Sequence, residues 1–253
     1  MQAPSPPPDP PALWIIAGAN GSGKSTAYER ATIEAPSGGI WFINPDALAA
    51  RIVAHEKLPL NPEANLEAVR RIERWLYASV DAHQTIGVET VLATGKYRSL
   101  VDRAHEQGFR VRLIYVLLEN GDLNVARVRD RVFKGGHDVP EQSIRSRRTR
   151  SFGQLSWFFD HADQADILDN SGAEPRLVVR KAQDEVTIYG GLIAELAGAL
   201  EVAVPGLTEF LKEQGRAKLA AAPGQGPGKK RRRRRRRRRR PRGAGASPPA
   251  SSA

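Results

Sequence analysis

Residues 14–26 read WIIAGANGSGKST: four apolar residues run into a glycine-rich loop, a lysine and two hydroxyls. Gly18, Ala19, Asn20, Gly21, Ser22, Gly23, Lys24 and Ser25 satisfy the pattern G-x-x-x-x-G-K-[ST]. The glycines let successive backbone N–H groups converge on phosphate oxygens, and the amino end of the following helix adds positive partial charge. In this pattern Lys24 reaches the β- and γ-phosphates and the Ser25 hydroxyl is the metal ligand, on Mg²⁺. The flanks agree, with strand-like ALWIIAG (12–18) before the loop and helix-like KSTAYERATIEA (24–35) after it. A dinucleotide fingerprint G-x-G-x-x-G is absent here, so residues 18–26, through Thr26, are read as a nucleoside-triphosphate loop.

Outward from the loop, strand-like and helix-like stretches alternate. Strands are expected at 38–44, 87–94, 109–119 and 164–170, with a terminal hairpin over 176–190 turning at Gln183–Asp184. Helices are expected between them, including a long one in which Leu66, Val69, Ile72, Leu76 and Val80 carry helical spacing. Such alternation implies an α/β fold of P-loop NTPase type: a doubly wound, mostly parallel sheet with a C-terminal hairpin at one end. The domain is expected over 12–215, flanked by a proline-rich disordered start (1–11) and a disordered basic tail (216–253).

In doubly wound sheets, ligands gather at the carboxyl ends of the strands. The second strand ends at Asp46, which is either a proton acceptor for an incoming hydroxyl or a first-turn helix acid. The third carries Glu89, Thr90 and Thr94 near its end. Arg127, Arg129 and Arg131, then Arg145, Arg147, Arg148 and Arg150, flank the pair Gly135–Gly136. Two basic helices hinged there form an arginine-rich lid, a few of whose guanidinium groups offset charge on a transferring phosphoryl group. His137 is read as structural, and Leu155, Trp157, Phe158 and Phe159 as core.

Composition narrows the setting. The 253 residues contain no cysteine, which excludes disulfides and thiolate metal sites. No signal-like start and no membrane-length apolar run is visible, so a cytoplasmic protein is expected. The net charge of +11 is local: residues 229–242 hold 13 basic residues, and the rest carries 26 basic against 28 acidic. Ten consecutive arginines, Arg231–Arg240, suit nonspecific contact with a polyanion.

Together, LWIIAGANGSGKST, INPDALA, VETVLAT, YRSLVDRAHEQGFRVRLIYVLL, NVARVRDRVFKGGHDVPEQSIRSRRTRS and ADILDNSG resemble the zeta toxin family of P-loop kinases. The resemblance covers about residues 12–172. It implies transfer of a phosphoryl group from ATP or GTP to a hydroxyl of UDP-N-acetylglucosamine, and an antitoxin as possible partner. It also implies that Lys24 and Ser25 bind phosphate and Mg²⁺, that Asp46 is the catalytic base, and that Glu89 contacts the sugar. Arg131, with Arg145 or Arg147, would clamp the triphosphate. One position departs: Val91 stands where the family often has threonine, which removes a hydroxyl from the acceptor side. Two rival readings use the tail as a tether, for a kinase or NTPase acting on nucleic acid and for a non-catalytic nucleotide-binding module.

Overall fold

β1 (Ala12–Ala17) is apolar throughout because it is a central strand, buried on both faces and paired in parallel with β3 (Ile86–Thr90) and β4 (Arg110–Leu117). The computed structural model describes residues 9–24, 26, 42–59, 61–136 and 138–213. The expected helix after the loop therefore lies outside the described residues, apart from Lys24 and Thr26. So do Ser25, His137, the Asp46 side chain, residues 1–8 and the arginine run. The described residues belong, Glu213 excepted, to one compact unit, Met1–Lys212.

The sheet has seven strands in the order β2-β3-β1-β4-β5-β6-β7. β2 (Phe42–Ile43), β3, β1, β4 and β5 (Gln164–Asp169) run parallel. β6 (Arg176–Ala182) and β7 (Glu185–Ile188) are the expected antiparallel hairpin, turning at Gln183, whose φ is +55°. Alternation sorts the side chains. Leu13, Ile15, Ala17, Val88, Leu113 and Tyr115 form the main core with helical residues such as Ile72, Leu76, Leu100 and Phe158. Trp14, Ile16, Ile114, Val116 and Leu168 form a second buried cluster on the other face.

Helices packed on the first core include α1 (Pro45–His55), α2 (Pro62–Asp81), α3 (Arg98–Glu106) and, later in the chain, a long α5 (Glu141–His161). α2 starts where Asn61 accepts a hydrogen bond from the Ala64 N–H and Pro62 occupies the first turn. Its buried stripe is Ala68, Ile72, Leu76, Ser79 and Val80. Leu66, expected on that stripe, is 49% exposed. Six residues at 3.6 per turn place it about 120° around the helix from Ile72.

The expected third strand, 87–94, stops at Thr90. Leu92 takes φ +59°, and its N–H bonds the Thr90 hydroxyl oxygen at 3.0 Å, so the chain turns out of the sheet. α4 (Gly121–Phe133) and α5 are joined by 134–140, where Gly135 has φ +87°. Leu155, Phe158 and Phe159 are buried as expected, while Trp157 sits on the core's edge, stacked on His161 at 3.9 Å. A short α6 (Ala194–Leu200), not anticipated from the sequence, buries Leu196, Ala197 and Leu200. No helix among the described residues is long and apolar enough to cross a membrane.

Candidate active site

β1 ends at Ala17, and the chain then turns through Gly18, Gly21 and Gly23 with φ of +145°, +74° and +78°. These values favour glycine, and so does the space. A Cβ on Gly18 would collide with the Val116 carbonyl oxygen, and one on Gly23 with the Asn170 side-chain amide. On Gly21 it would stand 2.6 Å from the Asn124 carbonyl oxygen. The loop is thus wedged between the carboxyl ends of β4 and β5 and the first turns of α4.

Lys24 lies at the loop's end, only 9% exposed. Its Nζ donates to the Gly18 carbonyl oxygen at 3.0 Å and stands 3.7 Å from a Glu89 carboxylate oxygen. The ammonium is thereby fixed across the loop's mouth, facing the end of β3. Ser22 is buried, with its N–H bonded to Ala19 O at 3.1 Å. Ala19 is buried and Asn20 half-buried at the loop's rim.

A pocket of ≈ 140 Å³ opens at the end of β3, with Glu89, the neighbour of Lys24, in its wall. It is lined by Glu89, Thr90, Val91, Thr94, Lys96 and Arg147, with Pro45 at its wall. The expected substrate residues Glu89, Thr90 and Thr94 therefore share one cavity with an arginine of α5. Asp46 is the second residue of α1, next to Pro45, where the chain leaves β2. Because Ile43 pairs with Val88, this helix start lies beyond the carboxyl end of the sheet, on the same side as Glu89 and the loop.

The arginines part company. Arg147 Nη1 lies 3.5 Å from Asn20 Oδ1 and lines the pocket. Arg145 pairs instead with Asp122 at 2.6 Å and Glu141 at 2.8 Å, and Arg129 pairs with Glu141 at 2.8 Å. Arg145–Asp122 and Arg129–Glu141 join α4 to α5, while Arg145–Glu141 lies within α5. Hydrogen bonding to Arg145 is the main reason the Glu141 carboxyl sits below its ordinary value. Arg131 is exposed near the end of α4, its carbonyl accepting from the Gly136 N–H at 2.9 Å. Arg150 is exposed on α5.

Arg148 and Arg127 face inward, a distinction that sequence density alone does not reveal. Arg148 is 5% exposed and donates to Leu118 O at 2.9 Å and Asn124 Oδ1 at 3.1 Å. Arg127 donates to Asn170 O at 2.7 Å. Asn124 and Asn170 in turn donate to the loop carbonyls of Asn20 and Ser22, both at 2.8 Å. Residues 169–171 form a turn in which the Asp169 carboxylate accepts from the Ser171 N–H and hydroxyl. Burial pushes the Asp169 carboxyl up, but these bonds and Arg176 outweigh it and hold the carboxyl below its ordinary value. Tyr115 bonds Ser151 at 3.0 Å beneath α5, and burial raises its phenol pKa. The described residues contain no cluster of His, Cys, Asp and Glu able to hold a metal.

Comparison with known proteins agrees with this architecture. An uncharacterized protein of Haemophilus influenzae (strain ATCC 51907 / DSM 11121 / KW20 / Rd) is 28% identical over 147 residues, covering 53% of this chain and 96% of the relative. A crystal structure of AvrRxo1-ORF1:AvrRxo1-ORF2 with sulphate ions is similar at TM-score 0.56 and 17% identity, covering 75% of this chain. This chain spans 63% of that one, less than two thirds of its length, and the same assembly has been solved with ATP. The PezAT chromosomal toxin-antitoxin system of the human pathogen Streptococcus pneumoniae is similar at TM-score 0.50 and 14% identity. There the match covers 83% of this chain and 86% of the other. At these identities the solved structures speak for the fold. The zeta toxin family model matches residues 1–192, and the chain belongs to that family.

Proposed function

We propose that this protein is a nucleotide-dependent kinase that moves the terminal phosphoryl group of ATP or GTP to a hydroxyl of a small molecule. A UDP-N-acetylglucosamine-type sugar nucleotide is the first candidate acceptor. The observation that carries the reading is Lys24, held between the loop carbonyl of Gly18 and Glu89, which lines the adjoining pocket. That pocket is smaller than the roughly 300 Å³ of an ordinary ligand site, so it suits only the reacting end of an acceptor.

In this reading residues 18–26 cradle the triphosphate, Asp46 takes the hydroxyl proton, and Glu89, Thr90 and Thr94 position the acceptor. Arg147 meets the transferring group from α5, and Arg131 reaches it when the lid closes, as Arg145 would on exchanging Asp122 and Glu141 for phosphate. Mg²⁺ is the usual ion of such phosphate loops, bound by a serine or threonine hydroxyl together with phosphate oxygens. Ser25 would hold it, and the ion would neutralise phosphate charge. We also propose an antitoxin as partner, as the family suggests, and a cytoplasmic setting.

Val91 supports a second acceptor. It lines the pocket with a methyl surface where a threonine hydroxyl would hydrogen-bond, and losing such a partner shifts discrimination between hydroxyl substrates. Both readings meet one test: incubate the protein with ATP or GTP, Mg²⁺ and a panel of UDP-sugars and simpler polyols, and weigh the products. A phosphate ester on UDP-N-acetylglucosamine is the first expectation. An ester on another acceptor keeps the kinase and replaces the substrate. Free phosphate alone with every acceptor overturns transfer to a hydroxyl.

The tail is assigned a separate role, nonspecific polyanion contact through Arg231–Arg240. Deleting residues 221–253 is expected to leave turnover on the acceptor unchanged and to abolish retention on a polyanionic column, a retention that falls steeply with salt. Lost turnover would instead favour a nucleic-acid-linked activity.

A further inference from the structure

Two asparagines hold the phosphate loop, and each is itself held by an arginine. Asn124, wholly buried on α4, donates its amide to Asn20 O at 2.8 Å while its Oδ1 accepts from Arg148 at 3.1 Å. Asn170, 7% exposed at the end of β5, donates to Ser22 O at 2.8 Å while Arg127 bonds its backbone carbonyl at 2.7 Å. The amide orientations follow from chemistry, since a guanidinium only donates and a carbonyl only accepts.

A trans peptide sets the direction of the next group. The carbonyl of one residue and the N–H of the following residue point to opposite sides of the peptide bond. With the Asn20 and Ser22 carbonyls turned outward onto the asparagines, the N–H groups of Gly21 and Gly23 turn the other way, into the loop's hollow. Those glycines are the ones whose missing Cβ lets the struts approach: a Cβ on Gly23 would strike the Asn170 amide, and one on Gly21 would crowd the Asn124 backbone.

We propose that Asn124 and Asn170, braced by Arg148 and Arg127, are positioning residues that aim the Gly21 and Gly23 N–H groups at the nucleotide's phosphates. Arg148 extends one brace further. Its guanidinium lies 3.2 Å from Glu195 on α6, so a helix beyond the family match at residue 192 supplies a counter-charge to the loop's support. The inference rests on the reading of residues 18–26 as a triphosphate site, and needs neither the acceptor nor the transfer step.

The test uses the full chain and ATP alone. Asn124→Asp keeps an acceptor for Arg148 but sets an oxygen against the Asn20 carbonyl; Asn170→Ala removes the second strut without adding charge. Calorimetry is expected to show ATP binding weakened about tenfold or more in each variant, the scale of losing a buried hydrogen bond. Hydrogen exchange should show ATP protecting the Gly21 and Gly23 amides in the natural protein and protecting them less in the variants. Thermal melting reports folding, and if Asn124→Asp does not fold, Asn170→Ala decides alone. Unchanged ATP affinity and unchanged amide protection in a folded variant overturn the strut role. No ATP binding by the natural protein overturns the loop reading itself, a different failure.

Discussion

Asp46→Asn is expected to slow phosphoryl transfer by about 10²–10⁴-fold, the usual contribution of a positioned general base, with little change in ATP affinity. Asparagine keeps the size and hydrogen-bonding reach of the side chain and loses only its ability to take a proton. Position 46 is the second residue of α1, beside Pro45 in the wall of the pocket that holds Glu89. A first-turn acid serves its helix by about 0.3–1 kcal/mol. If that were the whole role, the substitution would lower the melting temperature slightly and leave the rate alone. Single-turnover rates and thermal melts on the same preparation separate the two.

Lys24→Met is expected to cost both binding and chemistry. Methionine fills a similar volume, so the nearly closed space at the loop's end stays packed, but the bond to Gly18 O and the charge facing Glu89 vanish. Fixed charge over developing phosphate charge is worth about 10²–10³ in rate when one such donor is removed. Nucleotide titration and single-turnover transfer are the measurements. Transfer at the natural rate would show that the phosphates lie elsewhere.

Much of this fold is readable from local pattern. The unbroken apolar run 13–17 marks a strand buried on both faces, and the glycine spacing after it marks the loop, because both signals sit within a dozen residues. Gln183–Asp184 was readable as a hairpin turn for the same reason. Where the chain depends on distant partners, the sequence is silent. Asn124 and Asn170 look like ordinary polar residues, since the carbonyls they hold lie 104 and 148 residues away. Seven arginines flanking two glycines suggest a lid but do not say which face each takes. Arg148 is buried behind the loop, Arg145 and Arg129 are spent on Glu141, and Arg147 lines the pocket. Leu66 is apolar yet exposed, and the third strand ends four residues early because Leu92 adopts a left-handed conformation.

The most direct measurement is a crystal structure of the protein with an unreactive ATP analogue, Mg²⁺ and the acceptor that gains phosphate. An Asp46 carboxylate oxygen is expected within about 2.6–3.2 Å of the acceptor hydroxyl. That hydroxyl is expected in line with the terminal phosphorus and the leaving oxygen. An Asp46 side chain turned to solvent, with the acceptor hydroxyl elsewhere, would contradict its role as the base.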